Sequence, residues 1–321
     1  MKKALKIIGK VLLGFLILDI MIVLIMFVYG RIMLSKEDKL LESYPGQLVE
    51  VHGHNMNVFV EGEGTHTLVF LAPSGDTSPA ITFKPLYSKL SDGYRVAVVE
   101  KFGYGMSDIV DTERDYETMV DECRTALEKA GVDAPYILCP YSKSGIDTLI
   151  WAQRYPDEVE AIVSIDMAFP EHFDKMGIDT KDLKTTTTVM GIARATGIIR
   201  LFVPDSEFSP LHTKEDIALE RALVCRKFGN HIINYDEIVT LPDACELIKS
   251  DPFPDKPMLL FLTNGVTEMD TETWQEIAHS YADDLEVKTF TAFDCTHYEI
   301  IDKESEQMAQ DIKEFIDEIG D

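Results

Sequence analysis

Positive charge is what this chain has least of. Its 321 residues carry 30 lysines and arginines against 56 aspartates and glutamates, a formal net charge of −26. Residues 1–36 hold six of the basic residues and one acid, Asp19, which leaves −31 on the remainder. A body so acidic is repelled by nucleic acid and by anionic lipid headgroups, so no nucleic-acid partner is expected. Its surface reads as a solvated one that keeps the protein soluble. Cysteine is sparse as well. Cys123, Cys139, Cys225, Cys245 and Cys295 are odd in number and show no metal-site spacing, so no metal site is expected from them. Cys139 and Cys295 read as small packing residues. Cys225 and Cys245 could pair in an oxidising compartment. No internal repeat is present, and the one low-complexity run, Thr185–Thr188, reads as a loop or a helix start.

Against these absences stands one long apolar run. Val11 to Tyr29 is interrupted only by Gly14 and Asp19, close to the ~20 residues that span a bilayer. Lys2, Lys3, Lys6 and Lys10 precede it, whereas Arg31 and Lys36 after it are diluted by Glu37 and Asp38. This bias predicts a cytoplasmic N-terminus and an exported remainder at the cell membrane. A cleaved signal peptide is the alternative, with Val28-Tyr29-Gly30 as the cleavage region. The run exceeds the ~7–15 residues of a signal h-region, which favours an uncleaved anchor over residues 1–36. Asp19 would face a partner helix or stay protonated.

Residues 37–321 suit one large α/β domain. Gln47–Val51 and Met56–Val60 read as strands joined by the hairpin signal His52-Gly53-His54-Asn55. Continuous apolar runs at 67–71, 94–99, 136–139, 161–165 and 258–262 read as buried parallel strands, and 287–293 as a last, more alternating one. Helical patterns at 82–90, 116–130, 146–155, 271–282 and 303–319 separate them. The alternation predicts a doubly wound, mostly parallel sheet. Residues 169–255 break the rhythm with helical segments such as Glu215–Phe228. They are expected to form a helical lid over the carboxyl ends of the strands, where open α/β sheets bind ligands.

Four short segments carry chemistry. Pro140-Tyr141-Ser142-Lys143-Ser144-Gly145 sits between an apolar run and a helical pattern. A serine on so tight a turn is lifted above the sheet in a strained conformation, although serines there also serve as N-caps. His297, in Asp294-Cys295-Thr296-His297-Tyr298, follows the last strand. Two carboxylates end strands on the same side: Asp166, and Glu268 within Asn264-Gly265-Val266-Thr267-Glu268. Either could fix the histidine's tautomer. A further segment, Glu100-Lys101-Phe102-Gly103-Tyr104-Gly105-Met106-Ser107, is an acidic Gly-x-Gly-x-Ser turn after a strand; in isolation it would pass for a dinucleotide loop, but it lacks the third glycine and the helix that should follow.

Taken together, these residues resemble the α/β-hydrolase superfamily, in particular bacterial serine hydrolases, over roughly residues 47–319. The elbow is similar to a subgroup reading Pro-His-Ser-x-Ser-Gly, matched here by Pro140, Tyr141, Ser142, Lys143, Ser144 and Gly145. The resemblance implies Ser142 as nucleophile and His297 as base. Ile165-Asp166-Met167-Ala168-Phe169-Pro170 resembles lipase-like enzymes whose acid follows this strand, which favours Asp166 over Glu268. It also implies an oxyanion hole from backbone N–H groups of Ser74, Gly75 and Lys143, the loop Ala72-Pro73-Ser74-Gly75-Asp76 departing from the usual His-Gly. The Lys143 side chain is expected to be solvated. The expected substrate is a small or lipid-like ester, thioester or amide, cleaved without a cofactor. A peptidase of the same fold would use lid acids such as Glu171, Glu215 and Glu220 to hold an amine. A non-catalytic receptor or scaffold is the reading that Pro140, Tyr141 and the missing His-Gly favour.

Overall fold

A computed structural model describes residues 2–283 and 285–320. Eight strands form one sheet in the order β1-β2-β4-β3-β5-β6-β7-β8. They are β1 Gln47–Val51, β2 His54–Glu61, β3 Thr67–Leu71, β4 Arg95–Glu100, β5 Tyr136–Pro140, β6 Val159–Ile165, β7 Met258–Leu262 and β8 Lys288–Ala292. β2 runs antiparallel to both β1 and β4, and the remaining described pairs are parallel. Its hairpin with β1 turns on His52 and Gly53, both at positive φ (50° and 83°), as a two-residue turn matched to strand twist requires.

The period of two divides each central strand between two cores. In β3, Leu68 and Phe70 point to one face and Val69 and Leu71 to the other. One face is covered by α4 (Tyr116–Lys129), α5 (Ser144–Arg154) and α10 (Leu241–Ser250). The other is covered by α3 (Lys84–Tyr87), α8 (Lys214–Lys227) and α12 (Ile300–Gly320). The helix expected over 82–90 is instead two single turns, α2 (Pro79–Thr82) and α3. Pro85 has no N–H to continue the ladder. α11 (Thr271–Ala282) lies between β7 and β8 in sequence.

The insertion between β6 and β7 is helical among its described elements: α6 (Pro170–Met176), α7 (Leu183–Ala195), α8, α9 (Glu237–Val239) and α10, with short 3-10 and π turns between them. The threonine run 185–188 falls in the opening turns of α7. At the other end of the chain, α1 runs unbroken from Lys2 to Leu41, about 60 Å at ~1.5 Å per residue. One helix here is long and apolar enough to cross a membrane, and the rest of the chain covers almost none of that stretch.

Candidate active site

The elbow forms because β5 ends against its neighbours and α5 begins at once. Pro140 is the last residue of β5, opposite Leu71, and Tyr141 bridges to Ile165. Ser142 then takes φ = 58°, a left-handed conformation that costs a non-glycine residue of order 1–3 kcal/mol. The neighbouring small residues make the turn possible. The Ser144 hydroxyl accepts the Tyr141 N–H at 2.9 Å and lies 2.8 Å from the carbonyl oxygen of Leu71. A Cβ on Gly145 would fall 2.3 Å from the Ala168 carbonyl.

Above the sheet, Ser142 Oγ stands 2.8 Å from His297 Nε2, and His297 Nδ1 stands 2.6 Å from Asp166 Oδ2. A carboxylate can only accept, so Nδ1 carries the proton and Nε2 is left to accept from the serine hydroxyl. Asp166 is fully buried at φ = 45°. It also accepts from the Thr263 N–H at 3.1 Å, the Thr263 hydroxyl and Trp274 Nε1 at 3.0 Å, so its acceptor capacity is filled. His297 is held by its own N–H on Gly265 O (3.1 Å) and by the Tyr141 hydroxyl on its carbonyl (2.7 Å). Glu268 is elsewhere: it is exposed and accepts from the adjacent Thr267 hydroxyl at 3.0 Å.

Comparison with known proteins bears on the fold. No family model matches the chain. It is 32% identical over 267 residues to the uncharacterized protein YbdG of Bacillus subtilis, covering 81% of each sequence. Among solved structures it is similar to a thermophilic esterase from Thermogutta terrifontis, with a TM-score of 0.62 and 18% identity, over 85% of this chain and 99% of that one. It is likewise similar to an epoxide hydrolase from Vigna radiata, with a TM-score of 0.66 and 15% identity, over 87% and 99%. The chain belongs to the same family as YbdG and has the α/β-hydrolase fold.

In this fold the loop after β3 is exposed at Ser74 and Gly75, the latter at φ = 82°. The N–H groups of Ser74, Gly75 and Lys143 make no hydrogen bond to a protein acceptor among the described residues. The loop is pinned by Asp76, whose Oδ1 accepts the Ser78 N–H (2.9 Å) and the Thr82 hydroxyl (3.1 Å). Burial pushes the Asp76 carboxyl up to about 7.

Lys143 is not solvated as expected. Its side chain is buried and its ammonium is bonded to Glu237, in α9 of the insertion, and to the Tyr116 hydroxyl at 3.2 Å. Lys101 joins the same cluster, 3.1 Å from Asp147 and 3.7 Å from Glu237, and Tyr104 donates to Glu237 at 2.9 Å. Two cations thus face two anions. Burial alone would push the Glu237 carboxyl up, but Lys101 and Lys143 outweigh it and hold it at about 2.

The glycine-rich segment after β4 wraps a side chain instead of a phosphate. Glu100 is buried and accepts from the Met106 N–H (2.7 Å), Asn57 Nδ2 (3.0 Å) and the Tyr44 hydroxyl (2.5 Å). A Cβ on Gly105 would collide with its carboxylate at 1.8 Å.

The lid acids are not gathered. Glu171 accepts from Tyr281, Glu215 is exposed, and Glu220 lies 2.7 Å from His212 Nδ1. All five cysteines are buried and free, Cys225 and Cys245 included.

The sequence reading missed the supports of Asp166. Trp274 is placed by His172, whose Nδ1 accepts the Phe169 N–H (2.9 Å) and whose Nε2 donates to the Trp274 carbonyl (3.0 Å). Burial pulls the His172 imidazole down to about 4, so it stays neutral in this role. A histidine and a tryptophan 102 residues apart give no local signal of that contact.

Proposed function

We propose that this protein is a membrane-anchored serine hydrolase that cleaves a carboxylic ester, thioester or amide through an acyl-enzyme. The observation that carries the reading is the unbroken chain Ser142 Oγ–His297–Asp166, with the serine at a strained elbow. Ser142 attacks the substrate carbonyl carbon while His297 Nε2 takes its proton. The tetrahedral oxyanion is met by the free N–H of Lys143 and by an N–H from Ser74 or Gly75. His297 returns the proton to the leaving oxygen, sulfur or nitrogen, and the acyl group stays on Ser142. Water, deprotonated by the same histidine, then releases the acid. Asp166 stabilises the imidazolium formed in each step.

A filled triad argues against a scaffold that has lost its chemistry, and the dispersal of Glu171, Glu215 and Glu220 argues against a shared amine-binding site. The apolar stretch of α1, left uncovered by the fold, supports the anchor. Its unbroken continuation past Gly30 to contacts with the insertion supports an anchor that is retained. Mass spectrometry of protein mixed with p-nitrophenyl acetate tests the chemistry. An acetyl adduct on the peptide holding Ser142, lost on longer incubation, is expected. Turnover without an adduct on that peptide would refute the acyl-enzyme.

A further inference from the structure

We propose that residues 183–203 of the insertion rest in the interface of the same bilayer that α1 spans, giving the protein a second membrane contact beside its anchor. The inference builds on the anchor reading and adds a surface to it.

The two parts meet at glycines. Gly197, at φ = 75°, sits so close to α1 that a Cβ there would lie 2.8 Å from the Met26 carbonyl and 3.2 Å from Gly30 Cα. This contact fixes the height of the insertion at the end of the apolar stretch 11–29. Thr196 reaches further along it, and with Asp19, Ile20, Val23, Leu24 and Phe27 it lines an apolar cleft of about 390 Å³. A bilayer that covers Val23 to Phe27 therefore reaches the C-terminal end of α7.

The stripe that continues from Thr196 is apolar. Val189, Ile192 and Thr196 are spaced by three and four residues and share one face of the helix path. Val189 and Ile192 are 60% and 57% exposed, and Leu201 and Phe202, just beyond, are 61% and 70% exposed. Scattered exposed apolar residues need no explanation, but four large ones grouped against a membrane helix mark an interaction surface.

Charge selects the partner. From Leu183 to Pro204 there is no aspartate or glutamate, the longest such run in a chain where roughly one residue in six is acidic. Lys184, Arg194 and Arg200 are the charged residues there. A face freed of carboxylates, apolar and weakly cationic fits the headgroup layer of a bilayer. The rest of the body is repelled by it.

The position is also held. Arg200 forks onto both Glu37 carboxylate oxygens (2.5 and 2.8 Å), and Arg226 binds Asp38 (2.8 Å) and the Leu34 carbonyl (2.7 Å). These bonds tie the insertion to the part of α1 just beyond the span.

The test uses the full chain in vesicles of phosphatidylethanolamine and phosphatidylglycerol. Because the five native thiols are buried, an environment-sensitive fluorophore can be placed on Ile192→Cys or Phe202→Cys. Leu16→Cys reports the anchor, and exposed Ser280→Cys, in α11 at the β8 end of the sheet, is the reference. Probes at 16, 192 and 202 should shift to the blue and be quenched several-fold more by acyl-brominated lipid than the probe at 280. Quenching at 16, with 192 and 202 matching 280, would overturn the inference and leave the anchor standing. No quenching at 16 would overturn the anchor reading itself. Blue-shifted but unquenched probes at 192 and 202 would assign the surface to a protein partner and also overturn the inference.

Discussion

At Asp166 the backbone, the hydrogen bonds and the proposed chemistry converge on one carboxylate. It takes positive φ, is fully buried, and meets His297 and the donors of Thr263 and Trp274. Replacing it by asparagine keeps the shape but offers a donor where His297 needs an acceptor. Asp166→Asn should lower kcat by roughly 10⁴, the scale for a triad aspartate, whereas exposed Glu268→Gln should cost less than about twofold. Steady-state kinetics on one acyl ester decide it, and the reverse ranking would move the acid to Glu268. The positions of Ser142 and His297 were legible because strand ends and chain order constrain them. The choice between two acids was not legible from spacing, since both end strands on one side. Only the side-chain contacts separate them.

Among the elements, the contact between the elbow and the insertion matters most. Lys143, adjacent to the nucleophile, is tied to Glu237 of α9 inside a buried cluster with Lys101 and Asp147. Removing one partner of a buried pair leaves an uncompensated charge, at a cost of roughly 3–5 kcal/mol. Glu237→Leu alone should therefore destabilise strongly. Lys143→Met with Glu237→Leu should recover most of the loss, because Lys101 and Asp147 still balance. Urea unfolding of the single and double variants measures this, and additive losses would contradict the pairing. The pair also has a pH signature. Held at about 2, below its ordinary 4.5, Glu237 contributes stability above pH 4.5 that is lost as pH falls towards about 2. Glu237→Leu should flatten the acid limb of the stability curve over that window. No local signal points to this cluster, because Lys143 and Glu237 are 94 residues apart and a lysine in a loop is ordinarily solvated. The helices and strands themselves were legible from apolar period. The exception was the 82–90 helix, where Pro85 outweighed the pattern.

In the whole molecule an apolar N-terminal helix is joined to an α/β-hydrolase fold, and its flanking charges predict which side of the membrane holds the body. Four lysines before Val11 argue for a cytoplasmic N-terminus and an exported body. External protease on intact cells should then digest the body and leave a fragment ending near α1. A body protected until the cells are lysed would reverse the topology. The mostly parallel character of the sheet was legible because each central strand is a continuous apolar run, whereas the strand order was not read from the sequence. The docking of α1 on the insertion through Gly30 and Gly197 was not, because two glycines 167 positions apart carry no periodic signal. If Ser142 is an activated nucleophile, a fluorophosphonate probe will react with it. The wild type should label in a single covalent event at Ser142, and Ser142→Ala should not label while melting within a few degrees of the wild type. Equal labelling of the two proteins, or none of the folded wild type, would contradict the account.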